Sequence, residues 1–308
     1  MNYKNVKPYP GYEGHVANII GYGNQESVSM ADLQSAIKGY SLAEGTTMED
    51  ISIDSKDHRK IKLHIIKPAS LPEYAPMILD IHGGGWVSGD VSIDNFRNIY
   101  LAEHTPCIVV AVEYTLASET VHFPIPLEDC IEAYKWLYNN GMKIGGDIHN
   151  IGLHGTSAGG NLACGLLLWA RDHNLPLPKL TVLNCSVFTF EPTQSKKDLG
   201  SIGKGGGTPP EYLYCGTTDP KEVSPYAMPA YMEDLSNLPP VSVIVAEYDP
   251  LRDEGIDFAY RLLKAQVPTE LIVAPRVSHG YCSVPGKITT WTHDGICASF
   301  RREFGMEI

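Results

Sequence analysis

Among the residues suited to chemistry, the first is a serine inside a run of small residues, Gly155-Thr156-Ser157-Ala158-Gly159. The run follows the apolar stretch IGLHG and precedes NLACGLLLWA, whose apolar residues recur at helical spacing. A serine on a strand-to-helix turn needs small neighbours, because the turn is strained and the surrounding backbone is close. The pattern therefore predicts a nucleophile at Ser157. The alternative is a glycine-rich helix start without chemistry.

A serine hydroxyl is a poor nucleophile unless a base and an orienting acid assist it. His279 lies just past the last apolar strand, in RVSHGY, and Asp249 comes directly after VSVIVAEY. The order Ser, Asp, His is typical of a nucleophile on such a turn. His279 is therefore predicted to be the base. His154 precedes the turn and is expected to be a hydrogen-bonded histidine near the core, whereas His293 is expected in or near a terminal helix.

The acid has two candidates in EYDPLRD, Asp249 and Asp253. An Asp before Pro is also an ordinary helix N-cap, and we expect one carboxylate to serve a cap and a base poorly. Asp253 lies a turn later, where a carboxylate suits the helix dipole. Because Asp249 directly ends a buried strand, it is predicted to be the acid.

Three consecutive glycines follow the apolar run PMILDI in HGGGW, residues 82–86. Such loops bring backbone close to an anion. Neither this loop nor GKGGG at 203–207 has the spacing of a phosphate-binding loop. The anion is therefore expected to be one that forms only during a reaction, with His82 and Trp86 bracing the loop or lining the pocket.

The elements that must position these residues alternate between strands and helices. Predicted strands are ISID, KIKLHIIKP, PMILDI, CIVVAVEY, IGLHG, LTVLNCSVF, VSVIVAEY and ELIVAP, and predicted helices are IPLEDCIEAYKWLYNNG, NLACGLLLWA and RDEGIDFAYRLLKAQ. Apolar strands alternating with helices indicate a mostly parallel sheet wrapped by helices. Ligands meet such sheets at the carboxyl ends of the strands, where the glycine loop, serine, aspartate and histidine all fall.

Two segments do not follow this alternation. Residues 1–48 precede the sheet and include a predicted helix, MADLQSAIKGYSLA, and residues 188–238 are rich in Pro, Gly and Thr. Long loops in compact domains are usually lids or insertions. We therefore expect an N-terminal cap segment (1–48) and a core (49–308) that carries a cap insertion (188–238). The alternative is that residues 1–48 form a loose tail and that residues 188–238 are an insertion with no role in covering the sheet.

Composition limits the partners and the compartment. The formal net charge is −12, which argues against a nucleic-acid partner. Apolar runs are too short to span a bilayer, and no secretory signal is visible. Seven scattered cysteines fit a reducing compartment, so a cytoplasmic location is expected. A small-molecule substrate is the expected partner, and a homodimer is plausible.

The chain resembles the hormone-sensitive-lipase-like branch of the α/β-hydrolase esterases. HGGGW, GTSAGG, DPLRDEG and HGY match that branch in order, over roughly residues 75–285. Two departures are visible. Thr115 and Ser118 replace an arginine and a proline of a supporting loop, and Thr156 stands where many members carry aspartate.

The resemblance implies an α/β-hydrolase fold with a helical cap and a serine carboxylesterase acting on short- to medium-chain acyl esters. It implies that the backbone N–H groups of Gly84, Gly85 and Ala158 form the oxyanion hole, and that no metal or cofactor is required. An amidase or arylformamidase using the same triad is the alternative. A non-catalytic binding protein on the same scaffold is a further one.

Overall fold

A computed structural model describes residue 10 and residues 43–200, 208–217, 219–283 and 285–306. The predicted helix MADLQSAIKGYSLA lies outside these residues apart from Ala43, as do most of the 1–48 cap segment and the segment 203–207.

The centre of the protein is an eight-stranded sheet in the order β1-β2-β4-β3-β5-β6-β7-β8. The β1–β2 and β2–β4 pairs are antiparallel, and the other pairs are parallel. The strands are β1 (Thr47–Asp54), β2 (Lys60–Lys67), β3 (Ala75–Ile81), β4 (Ile108–Glu113), β5 (Gly146–Thr156), β6 (Thr181–Asn184), β7 (Val241–Tyr248) and β8 (Thr269–Ser278). All eight predicted strands are confirmed, with shifted ends.

Helices cover both faces of this sheet. They are α1 (Asn95–His104), α2 (Ile125–Asn140), α3 (Ala158–Asp172), α4 (Gln194–Leu199), α5 (Pro210–Cys215), α6 (Arg252–Lys264) and α7 (Lys287–Glu303). Side chains of β3 alternate between two cores: Met77 and Leu79 pack into the one that contains Leu162 of α3, and Ile78 into the one that contains Phe300 of α7. Burial on both faces explains why the central strands are apolar throughout.

Strand β6 is shorter than its apolar sequence predicts. The pattern predicts a strand over 180–188, but the strand ends at Asn184. Cys185 has a φ of 47°, a left-handed conformation that breaks the extended backbone. The apolar residues that follow, including Phe188, are buried against helices and not within the sheet.

Helix α1 escapes the sequence pattern because polar side chains occupy its buried face. Arg97 and Asn98 are both buried, beside Phe96 and Leu101. Charged residues are rarely fully buried unless they are paired, so the apolar stripe of α1 is interrupted.

The described part of the 188–238 segment forms α4, α5 and a short 3-10 turn at Pro229–Tyr231. Helix α5 lies against the glycine loop: Tyr214 stacks on Trp86 with ring centroids 4.7 Å apart. A Cβ on Gly85 would lie 3.5 Å from Pro210. In the described part of the chain, no helix has the length and apolar character needed to cross a membrane.

Candidate active site

Ser157 occupies the tight turn between β5 and α3. Its φ of 57° and ψ of −121° are strained for a residue with a side chain. Its N–H donates to the carbonyl of Asn184 at the end of β6, at 2.8 Å. Such strain persists only where the surroundings over-determine it, and here the neighbouring strand anchors the turn.

The glycines around Ser157 are required by close backbone packing. A Cβ on Gly155 would lie 2.3 Å from the carbonyl oxygen of Gly159. A Cβ on Gly159 would lie 2.0 Å from the carbonyl oxygen of Ile81 in β3. No larger residue fits at either position without displacing backbone, which explains the small-residue run.

The structure brings the predicted serine, histidine and aspartate together. His279 directly follows β8, and Asp249 directly follows β7. The Oγ of Ser157 lies 2.9 Å from Nε2 of His279. The Nδ1 of His279 lies 2.9 Å from Oδ2 of Asp249. Because three parallel strands end at the same edge of the sheet, residues far apart in sequence form one continuous hydrogen-bonded line.

The Asp249 carboxylate has two partners, and it does not cap α6, whose N-cap residue is Leu251. Its Oδ1 accepts the N–H of Leu251 at 2.8 Å, and its Oδ2 faces His279. Because the two contacts use different oxygens of the carboxylate, the bond to Leu251 and the bond to His279 can form at the same time. Asp253 lies in the first turn of α6, where it accepts the N–H of Ser195 at 2.7 Å.

Electrostatics favour the protonated form of His279. Burial opposes the imidazolium, but the charge and hydrogen bond of Asp249 outweigh it and raise the pKa of His279 above the ordinary 6.5. Asp249 is fully buried and His279 is 11% exposed, so solvent screens this pair weakly. The imidazole is therefore a stronger base than a free histidine.

The glycine loop lies against the serine turn, since a Cβ on Gly83 would lie 3.4 Å from the Cβ of Ser157. Gly84 and Gly85 have φ values of 120° and 61°, and the bonds within their loop use the Gly84 carbonyl, which accepts from Val87 and Ser88. Among the described residues, the N–H groups of Gly84 and Gly85 have no hydrogen-bond acceptor. Ala158 opens α3, so its N–H has no partner within the helix. These donors could receive an oxyanion.

His82 and Trp86 brace this loop, as predicted. His82 stacks on Tyr114 with ring centroids 4.3 Å apart, and its Nδ1 lies 2.7 Å from the Gly83 carbonyl. Trp86 is buried, and its Nε1 donates to Asn161 of α3 at 3.2 Å. The two rings hold the ends of the glycine loop.

The other two histidines considered in the sequence analysis, His154 and His293, contact residues other than Ser157. His154 is buried, and its Nδ1 lies 2.7 Å from Oδ1 of Asp80, which confirms it as a hydrogen-bonded core histidine. His293 is buried in α7, next to Phe96 and Tyr100. Asp80 itself was not singled out from the sequence, although a lone aspartate in a fully buried strand signals a buried partner.

A second carboxylate holds the loop that carries Thr115 and Ser118, the first of the two departures from the family pattern. Asp129 of α2 accepts the N–H of Thr115 at 2.9 Å and bonds to Arg59 at 2.9 and 3.0 Å. Ser118 closes the next turn, donating its N–H to the Val121 carbonyl at 2.9 Å. The loop is therefore packed by Arg59, a cation from the turn between β1 and β2.

One group of atoms near the site could in principle hold a metal ion. The thiol of Cys185, a carboxylate oxygen of Asp249 and a ring nitrogen of His279 lie within 4.8 Å of one another. Nδ1 of His279 is already bonded to Asp249. A hydrogen bond with Cys282, together with burial, raises the pKa of the Cys185 thiol well above its usual value. These atoms are therefore better suited to hydrogen bonding than to ligating an ion.

Comparison with known proteins agrees with this geometry. A family described as the α/β hydrolase fold matches residues 78–283, which include the glycine loop and the serine, aspartate and histidine. The arylesterase of Saccharolobus solfataricus is 33% identical over 226 residues, covering 71% of this chain and 72% of that protein. Esterase LipI of Mycobacterium tuberculosis is 32% identical over 263 residues, covering 81% and 80%.

A solved structure gives the same answer for the fold. The hyperthermophilic esterase from Pyrobaculum calidifontis superimposes with a TM-score of 0.80 at 29% identity, covering 96% of this chain and 99% of that one. The matched family, the relatives and the shared architecture agree: the chain belongs to the hormone-sensitive-lipase-like esterases of the α/β-hydrolase fold.

Proposed function

We propose that the protein is a serine carboxylesterase that cleaves short- to medium-chain acyl esters through an acyl-enzyme. Ser157 is the nucleophile, His279 the base and Asp249 the acid. The observation that carries the proposal is the line of two 2.9 Å contacts, from Ser157 to His279 and from His279 to Asp249.

In the first half-reaction, Nε2 of His279 takes the hydroxyl proton as Oγ of Ser157 attacks the ester carbonyl. Asp249 holds the imidazole in the tautomer that accepts this proton and stabilises the imidazolium. The carbonyl oxygen becomes an oxyanion, and the N–H groups of Gly84, Gly85 and Ala158 receive it. Loss of one such donor costs about 3 kcal/mol of barrier in comparable enzymes.

Collapse of the tetrahedral intermediate expels the alcohol, which takes the proton from the imidazolium of His279. Water then attacks the acyl-enzyme with His279 again as base, and the carboxylic acid leaves Ser157 free. Helix α5 packs closely on the glycine loop: Pro210 lies 3.5 Å from the position of a Cβ on Gly85, and Tyr214 stacks on Trp86. This close packing supports the preference for smaller acyl groups.

The test is turnover of p-nitrophenyl esters from acetate to laurate, with mass spectrometry of the quenched enzyme. We expect an acyl adduct on Ser157 and the highest kcat/KM at short to medium chains. Ser157→Ala should abolish both the adduct and turnover, with a drop in kcat on the order of 10⁶. Turnover that survives in this variant would contradict the proposal. Faster cleavage of a matched anilide than of the ester would instead indicate an amidase.

A further inference from the structure

Arg97 of α1 is a buried cation close to the strand ends that carry the site. Its side chain is 1% exposed. Its Nη2 donates to Asp80 Oδ1 at 2.7 Å and Oδ2 at 2.9 Å, and its Nη1 donates to the Thr156 hydroxyl at 2.8 Å. One guanidinium therefore spans a carboxylate on β3 and a hydroxyl on β5.

The two partners of Arg97 precede the two halves of the proposed active site. Asp80 lies three residues before Gly83, the first glycine of the loop, and Thr156 directly precedes Ser157. Strands β3 and β5 are parallel neighbours, with Ile81 opposite Gly155. The backbones also meet beyond the strands, since a Cβ on Gly83 would lie 3.1 Å from the Thr156 carbonyl oxygen.

The charge on this network is retained in spite of burial. Burial disfavours the ionised form of Asp80, but Arg97, together with His154 and Asn98, holds the pKa of Asp80 well below its ordinary value. Asp94 adds a second carboxylate, 2.9 Å from Nη1 of Arg97. Buried ion pairs often contribute less stability than apolar residues of the same volume. The network around Arg97 therefore adds little to the stability of the fold, and its main effect is to fix the geometry of the groups that it joins.

Fixed geometry is what the turn at Ser157 needs. A strained backbone is maintained only when its surroundings leave no alternative, and the hydrogen bond from Arg97 restrains the residue immediately before Ser157. The same guanidinium restrains the strand that leads into the glycine loop. We infer that Arg97 is a positioning residue that sets the distance between Ser157 Oγ and the oxyanion-binding N–H groups. The inference rests on the proposed function of Ser157.

The primary test removes the Thr156 hydroxyl. Thr156→Val keeps the side-chain shape and loses the bond to Arg97, whereas Thr156→Ser keeps the hydroxyl. Thr181→Val is the matched control, because Thr181 is a buried strand threonine whose hydroxyl has no partner within the described part of the chain. Each protein is titrated for active sites, and kcat, KM and inhibition by a trifluoromethyl ketone ester analogue are measured.

We expect Thr156→Val to lower kcat by about 10²-fold, the usual consequence of a misplacement near 1 Å, with KM within about twofold of wild type. The trifluoromethyl ketone, which forms a tetrahedral adduct, should lose affinity in parallel with kcat. Thr156→Ser should recover most of the loss, and Thr181→Val should match wild type. A lower melting temperature with unchanged kcat for Thr156→Val would show a merely structural contact and overturn the inference.

Arg97→Lys provides a second route if Thr156→Val does not fold. Lysine has one ammonium in place of the guanidinium fork, so it can keep the ion pair with Asp80 but not also reach Thr156. We expect a kcat loss similar to that of Thr156→Val, with no further loss in the double variant. Additive losses, or full activity of Arg97→Lys, would refute the positioning role. An active Ser157→Ala variant would instead refute the proposed function itself.

Discussion

The Nδ1 atom of His279 lies 2.9 Å from Oδ2 of Asp249, while Oδ1 of the same carboxylate accepts the N–H of Leu251 at 2.8 Å. The backbone contact fixes the plane of the carboxylate, and the plane of the carboxylate directs the imidazole toward Ser157. A carboxylate anchored in this way can stabilise the imidazolium without rotating away.

Asp249→Asn should lower kcat by about 10⁴-fold while the protein stays folded, because an amide can donate to Nδ1 and so favour the wrong tautomer. Asp253→Asn is the matched control, one turn away at the start of α6, and should keep near wild-type turnover. The measurement is kcat for p-nitrophenyl acetate with circular dichroism of both variants. Equal losses in the two variants would argue against Asp249 as the acid.

The pH profile should show one inflection from His279. The base must be neutral to accept a proton, so kcat/KM should be low in acid and rise as the pH passes the pKa of His279. That pKa is raised by Asp249 above 6.5, so the midpoint should lie above 6.5. In Asp249→Asn the remaining effect of burial should move the midpoint down. A wild-type midpoint below 6.5 would contradict the pairing.

The glycine loop should tolerate a methyl group at one position and not at the other. A Cβ on Gly84 would lie 2.0 Å from the Ser88 carbonyl oxygen, so Gly84→Ala must shift loop backbone and should reduce kcat by at least about 10². Among the residues that the structure describes, a Cβ on Gly85 meets only Pro210, at 3.5 Å, and the φ of Gly85, 61°, is left-handed. Gly85→Ala should therefore cost about 1–2 kcal/mol of stability and less than about tenfold in kcat. Kinetics and urea unfolding of both variants would test this, and the reverse order would refute it.

Glu254 should make stability depend on pH. Burial raises its pKa to about 7, with Lys196 and the Phe188 and Thr189 N–H groups opposing the shift. Between pH 4.5, the pKa of Glu254 in the unfolded chain, and about pH 7, its pKa in the folded protein, the unfolded chain is deprotonated while the folded protein keeps the proton. The free energy of unfolding therefore falls as the pH rises through this range. Each unit of pKa difference corresponds to about 1.4 kcal/mol.

Glu254→Gln keeps an acceptor for the Phe188 N–H and cannot ionise, so its stability should change less between pH 4.5 and 7. Urea unfolding of wild type and variant at several pH values in that window gives the difference curve. Parallel curves would show that Glu254 does not contribute the expected slope.

The apolar periodicity of the sequence, and the Gly and Pro residues between the apolar segments, predicted most of the fold. All eight strands, and the helices α2, α3 and α6, are predicted by apolar runs or apolar stripes in the sequence. The reason is that a central strand buries both of its faces, whereas a helix buries one stripe of side chains. Helix α1 was not predicted, since Arg97 and Asn98 occupy its buried side. The shortened end of β6 was also unpredictable, because the left-handed turn at Cys185 carries no glycine to signal it.

By itself, the sequence determined which residue types stand at the ends of the strands and in what order: a glycine loop, a serine, an aspartate and a histidine. It could do so because parallel strands place their carboxyl ends at one edge. Only the tertiary structure decided the distances between them and the division of the Asp249 oxygens between Leu251 and His279. Only the tertiary structure, too, revealed the Arg97 contacts to Asp80 and Thr156. A buried polar contact depends on how two side chains are oriented and on whether water is excluded from them, and neither leaves a periodic pattern in the sequence. Such contacts are therefore seen only once the packing is known.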